Sequence, residues 1–252
     1  MAYPTAQRRD PYPFWLILNL LSLDAPLVAL LWQQLTADAF HVRPSPSGRI
    51  LLALAVWSIY LLDRILDVRS KSLPSEPARH RFTREHLRSM AALLTACVLV
   101  GGLMALNADR PILFVGLAMG SAVMAYFLAV HAAHLRFPKP VAVAMIFASG
   151  VAAGPWFRTS FDPAVLYAAT AFGALCWANL ELIDIVEGVS QTGLYPIRCA
   201  GIALLAAWSP LALPILLSLG GLFALYLLRS PLPSEALRVL ADAALLLPIV
   251  FV

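Results

Sequence analysis

Nine apolar stretches, at about 13–36, 48–66, 88–106, 111–132, 139–157, 163–183, 197–209, 211–229 and 236–252, occupy most of this chain of 252 residues. Proline, glycine and clustered charge separate them. A helix needs roughly 20 apolar residues to cross the hydrocarbon of a bilayer, and in lipid only helices and closed barrels satisfy every backbone N–H and C=O. The pattern therefore predicts an all-α, polytopic membrane bundle of about nine transmembrane helices. It fills 1–252 as a single transmembrane domain and leaves no room for a soluble one. The charged fraction is 13 %, about half the usual share in soluble domains, roughly 25 %. That excludes a disordered chain, a nucleic-acid-binding domain and almost any soluble enzyme. The seventh and eighth stretches meet at Ser209-Pro210, so 197–228 reads equally as a helical hairpin or as a broken span.

Basic residues report orientation, because Lys and Arg are retained on the cytoplasmic side. With nine spans, the N-terminus and the even-numbered loops hold 14 of the 18 Lys and Arg, and the opposite face holds only Arg43, Arg49, Arg110 and Arg158. The expectation is a multi-pass protein of the cell membrane with a cytoplasmic N-terminus. Arg8-Arg9 precedes about two dozen apolar residues rather than a short segment with a cleavage site, so the first span reads as a retained anchor. The basic loop 68–88 falls on the cytoplasmic side, either as a solvated loop against anionic headgroups or as a cap over a site. Cys97, Cys176 and Cys199 lack metal-binding spacing and read as small buried hydrophobes.

Acids close to apolar runs are expensive in a membrane and are functional candidates for that reason. Asp63 and Asp67 close the second stretch at i, i+4, on one helical face. Two convergent carboxylates are what Mg²⁺ needs to bridge diphosphate oxygens; an interfacial cluster with Arg64 and Arg69 that ends the helix is the other reading, and spacing leaves both open. Glu181, Asp184 and Glu187 close the sixth stretch on the same side, with Asn179 able to add a neutral oxygen. Two acidic helix ends four spans apart resemble an internal duplication with a shared site, the alternative being a solvated helix end. Arg136 and Lys139, after the fourth stretch, can hold phosphate oxygens. His131 and His134 read as an interfacial pair. Asp24 has no partner nearby in sequence and must face a cavity or another helix, whereas Arg238 and Asp242, at i, i+4, read as a packing pair. No nucleotide loop, HExxH, GxSxG or glycine-rich phosphate cradle occurs. Acids, a few cations and aromatics such as Tyr60, Tyr126, Trp156 and Trp177 suit carbocation or ion-pair chemistry on a lipid, and equally suit passive lipid binding.

On these residues the chain resembles the UbiA-type superfamily of intramembrane prenyltransferases, whose members have about nine helices and aspartate-rich motifs after the second and sixth. In IYLLDRILD, Asp63 and Asp67 match the second and third aspartates of the first motif and Arg64 its frequent arginine, while Ile59 and Tyr60 replace the Asn and first Asp. In IVEGVSQTG, Glu187, Gly188 and Gly193 match the second motif, with Pro196 and Arg198 following, and Ile185 and Val189 stand at aspartate positions. The stretch from Arg136 through Lys139 to Gly150 and Trp156 is similar to the family's junction of fourth and fifth helices. The resemblance implies transfer of a prenyl group from a prenyl diphosphate to a lipid-soluble acceptor. Asp63, Asp67 and Asp184 would be catalytic. Asp63, Asp67, Glu181, Asp184 and Glu187 would hold Mg²⁺, and Tyr60, Arg64, Arg136, Lys139, Asn179 and Arg198 would bind substrate. A non-catalytic isoprenoid-binding protein of the same fold is the second reading. A small transporter is the third; it requires a span broken near Asp24-Ala25-Pro26. The enzyme reading expects Asp63, Asp67 and one acid of the second cluster to converge within one metal's reach of Lys139 or Arg136.

Overall fold

A computed structural model of the protein describes residues 12–70, 78–108, 110–129, 139–190 and 193–252. Arg136, His131, His134 and the Arg8-Arg9 pair lie outside the described residues. The described residues form eleven α-helices and no strand: α1 (Ile17–Leu20), α2 (Asp24–Ala39), α3 (Pro46–Ser70), α4 (Ala78–Glu85), α5 (Leu87–Leu106), α6 (Arg110–Phe127), α7 (Lys139–Arg158), α8 (Pro163–Val186), α9 (Tyr195–Ala207), α10 (Ala212–Leu227) and α11 (Ser234–Ala244). Short 3₁₀ turns precede α1 and follow α11.

Every apolar stretch carries helix, but the helices are unequal. α5, α7 and α8 are long and apolar enough to cross a membrane. The first stretch is broken: Phe14–Leu20 and Asp24–Ala39 meet at 75°. Ser22 takes φ 56° at the corner, and the carbonyl of Leu21 accepts from the Trp57 indole at 2.8 Å, so the break is held rather than frayed. Ser209-Pro210 separates α9 from α10, which pack against each other as two helices of 13 and 16 residues.

Close packing centres on α7 and α8. The face Ala144, Ala148, Val151 meets Ala168, Phe172 and Leu175, and small residues let the backbones approach where lipid supplies no hydrophobic drive. Gly173 is the point of closest fit; a β-carbon there would stand 3.0 Å from Met145 Sδ and 3.3 Å from Ala148 Cβ. Trp32 of α2 stacks on Phe172 at 4.3 Å and donates its indole N–H to the carbonyl of Leu245 at 2.8 Å, tying α2 to the end of α11. α8 starts from an Asp162 cap that accepts from Ala164 N–H, with Pro163 next. It ends at Gly188, whose φ of 74° turns the chain while Asp184 C=O accepts from Val189 and Ser190.

The basic loop is in part a folded element. α4 packs along α1 and α3, with Tyr12 edge-on to Phe82 and its hydroxyl donating to Glu85 at 2.9 Å. Within 68–88, residues 78–85 are thus a helix packed against α1 and α3.

Candidate functional site

Three polar places and one large cavity surround the predicted site residues. The cavity lies between α3, α5, α6 and α7 and has a volume of about 940 Å³. Tyr60 and Tyr126 line one end, and Ser45 and Arg158 the other. From Gly48 to Tyr60, α3 spans about 18 Å at 1.5 Å per residue. The walls are apolar except at these ends, and seven glycines contribute to them: Gly48, Gly101, Gly102, Gly116, Gly120, Gly150 and Gly154. A β-carbon at Gly102, Gly116 or Gly120 would meet nothing within 4 Å; these glycines widen the cavity rather than admit a neighbouring helix.

Asp63 and Asp67 stand half-buried one turn and two turns beyond Tyr60 on α3, within electrostatic reach of Tyr126. Arg64 points elsewhere. It is 8 % exposed, lies among Asp24, Asp242, Asp63 and Arg79, and its Nη1 has no hydrogen-bond partner.

The second acidic cluster does not present its carboxylates together. Glu181 is buried and paired with Arg198, whose guanidinium lies 5.2 Å from the Trp177 ring centroid. Glu187 is paired with Arg238 and, at 3.3 Å, with Arg79 of α4. Arg238 also reaches Glu235 at 3.0 Å, and Glu235 accepts from Ala78 N–H at 2.8 Å. This ion network fastens α4 to the ends of α8 and α11. Burial, and then the neighbouring Arg238, lower the pKa of Arg79, while Glu187 opposes them. Asp184 is half-buried beside Glu187 and Arg79. Lys139 is exposed at the start of α7. Among the described residues no three His, Cys, Asp or Glu side chains group closely enough to hold a metal ion, so the expected convergence of both clusters is not found there.

Asn179 turns inward to a third polar place that spacing did not reveal. Its Nδ2 donates to Asp242 Oδ1 at 3.1 Å, and Asn19 Nδ2 donates to Asp24 Oδ2 at 2.7 Å and to Asp242 Oδ2 at 3.2 Å. The pair read from sequence as Arg238 with Asp242 is thus corrected: Arg238 turns to Glu187 and Glu235, and Asp242 to the two asparagines. Asp24 does face other helices, as its isolation required. Asn19, within FWLILNLLSLDAP, was the missed partner, an amide alone in an apolar run.

The described residues do not assemble the carboxylate set that a pair of Mg²⁺ ions would need. A single such ion is held by one or two carboxylates together with substrate phosphates; Asp63 and Asp67 share one face of α3, and Glu181 and Glu187 are paired with arginines. No family model, no curated protein and no solved structure matches this chain.

Proposed function

We propose that the protein is a multi-pass membrane protein of UbiA type, with its N-terminus in the cytoplasm, that binds a prenyl diphosphate and transfers its prenyl group to a lipid-soluble acceptor. The observation that carries this reading is the apolar cavity of about 940 Å³ whose tyrosine-lined end adjoins the Asp63–Asp67 pair. The 14-to-4 division of Lys and Arg supports the orientation. Three helices are long and apolar enough to cross a bilayer, four with the bent first pair taken as one crossing, and the remaining crossings of the nine-span reading fall on shorter apolar helices.

In this reading the cavity between α3 and α7 takes the isoprenoid chain and excludes water from it. The rings of Tyr60 and Tyr126 border the allylic end, where an electron-rich face favours developing positive charge. Asp63 and Asp67 would hold Mg²⁺, which would supply charge neutralisation of the leaving diphosphate. Lys139 and Arg136 bring fixed positive charge to the same face of the membrane. Asp184, matched to a catalytic aspartate only by its neighbourhood, has Arg79 within electrostatic reach and serves at most as a second, weaker acid.

The pairing of Glu181 with Arg198 and of Glu187 with Arg238 favours a second reading, a non-catalytic isoprenoid-binding protein of the same fold. One experiment separates them. Purified protein is given labelled geranylgeranyl diphosphate and Mg²⁺ with membrane lipid extract as acceptor source. Diphosphate release that Asp63→Ala abolishes supports the enzyme; Mg²⁺-dependent binding without release supports the binding protein; neither binding nor release ends both.

A further inference from the structure

Four elements bring two carboxyl groups together at the broken corner of the first span. Asp24 opens α2, Asp242 lies on α11, and both accept from the same amide nitrogen, Asn19 Nδ2 of α1, while Asn179 of α8 holds Asp242 from the other side. Two carboxylates on one donor nitrogen repel each other, and a proton held between them relieves that repulsion. Asn19 and Asn179 are 3 % and 5 % exposed. Each spends its nitrogen on the acids and leaves a buried Oδ1 with no partner, and so does the hydroxyl of Ser22, fully buried at the corner itself.

Charge makes this arrangement incomplete. Asp24 and Asp242 carry two negative charges when ionised. The charged and titratable groups around them include Tyr60, Asp63 and Arg64 on α3, Arg79 on α4 and Cys176 on α8. Arg79 is engaged by Glu187, and Asp63 is a third acid within electrostatic reach of Arg64. Arg64 is the buried cation left to balance these acids, so negative charge remains in excess. A buried excess charge is costly unless a counter-ion or proton neutralises it. Unpartnered amide and hydroxyl oxygens are hard, neutral donors of the kind alkali cations take. An amide turned over exchanges its nitrogen for its oxygen without any change in side-chain position, so both asparagines can present oxygen to an ion between the acids.

We propose that Asp24, Asp242, Asn19 and Asn179 form a binding site for one Na⁺ ion, which replaces the proton shared by the two acids. Binding releases one proton for each ion taken up, so charge is conserved at the site. Unwound backbone at Ser22 and donors from four helices make the ion a clasp between the first span, α8 and α11. The site is separate from the Asp63–Asp67 pair and does not depend on prenyl transfer.

Radioactive sodium retained by the full-length protein in detergent at about pH 8, and its thermal unfolding in sodium or choline chloride at equal ionic strength, test this. The expected results are one ion bound per chain, displaced by unlabelled sodium and not by choline, and a midpoint a few degrees higher in sodium. Lowering the pH to about 5.5 should weaken sodium binding at least tenfold by proton competition. Asp242→Asn and Asn179→Ala should lose and reduce the response respectively. No specific retention by the wild type overturns the proposal whether or not the variants fold. So does a response that Asp242→Asn leaves intact, or stabilisation by acid with none by sodium, which would assign the pair a proton alone.

Discussion

Arg238 pairs with Glu187 of α8 and not with Asp242 one turn along its own helix. The consequence is mechanical: Glu187 takes Arg79 as well as Arg238, so one carboxylate joins α4 to two helix ends. Glu187→Gln should weaken the hold on α4 by about 1–2 kcal/mol, since a charged hydrogen bond is lost while the amide keeps a neutral one. Amide hydrogen exchange across 78–85 should then accelerate roughly tenfold, with exchange in α7 unchanged. Asp242→Asn, which touches neither Arg79 nor Arg238, should leave α4 as it was. Equal acceleration in both variants would remove Glu187 from the role of hub.

The glycines divide into two kinds with opposite expected responses. At Gly173 a side chain meets Ala148 Cβ and the carbonyl of Ala144 at 3.3 and 3.7 Å, so Gly173→Val should force α7 from α8 at a cost of about 1–3 kcal/mol, the usual range for overpacking. At Gly116 and Gly120 a β-carbon meets nothing. Gly116→Leu should leave the unfolding midpoint within a degree or two, and should lower affinity for a long prenyl diphosphate more than for a short one because it occupies the cavity. Thermal unfolding and competition between geranyl and geranylgeranyl diphosphate read the two effects separately.

Helix positions were legible because apolar length and punctuation are local properties of sequence: the stretch at 163–183 carries α8, Pro163–Val186. The partners of charged residues were not. Arg238 and Asp242 satisfy i, i+4 spacing, yet α8 offers Arg238 a carboxylate that lies far off in sequence, and Asp242 finds amides on α1 and α8. Spacing describes one helix, and buried pairs are chosen between helices. The corner at Ser22 was hidden for another reason. A positive φ there is carried by a serine rather than a glycine, so tertiary contacts such as Trp57 to Leu21 C=O impose it. The break falls between Leu20 and Asp24, just before the Asp24-Ala25-Pro26 string, and that string does not give its 75° bend.

Glu181 offers a direct test between ligand and structural roles. It is 3 % exposed and paired with Arg198. Glu181→Gln should therefore leave Mg²⁺-dependent binding of prenyl diphosphate unchanged, while costing about 1 kcal/mol of stability, a figure held down because Arg198 is partly solvated. Asp67→Asn should do the reverse to binding, reducing the metal-dependent affinity at least tenfold. Isothermal titration with and without Mg²⁺ decides; loss of binding in Glu181→Gln would return Glu181 to the metal site.

Orientation can be read from thiol labelling because the three native cysteines are buried and should resist a membrane-impermeant maleimide. Val189 and Ser160 are exposed and follow opposite ends of the helices around them, Val189 after the C-terminal end of α8 and Ser160 before its start. With a cytoplasmic N-terminus, Ser160 faces outward and Val189 inward, since α8 separates them and arginine and lysine concentrate on the Val189 side. In intact cells Ser160→Cys should label and Val189→Cys should not; after permeabilisation both should label, and the wild type should remain unlabelled throughout. Labelling of Val189→Cys alone in intact cells would invert the protein, moving the Asp63–Asp67 pair and α4 to the outer face. Labelling of both would show that α8 does not cross the bilayer, and the nine-span reading would fall with it.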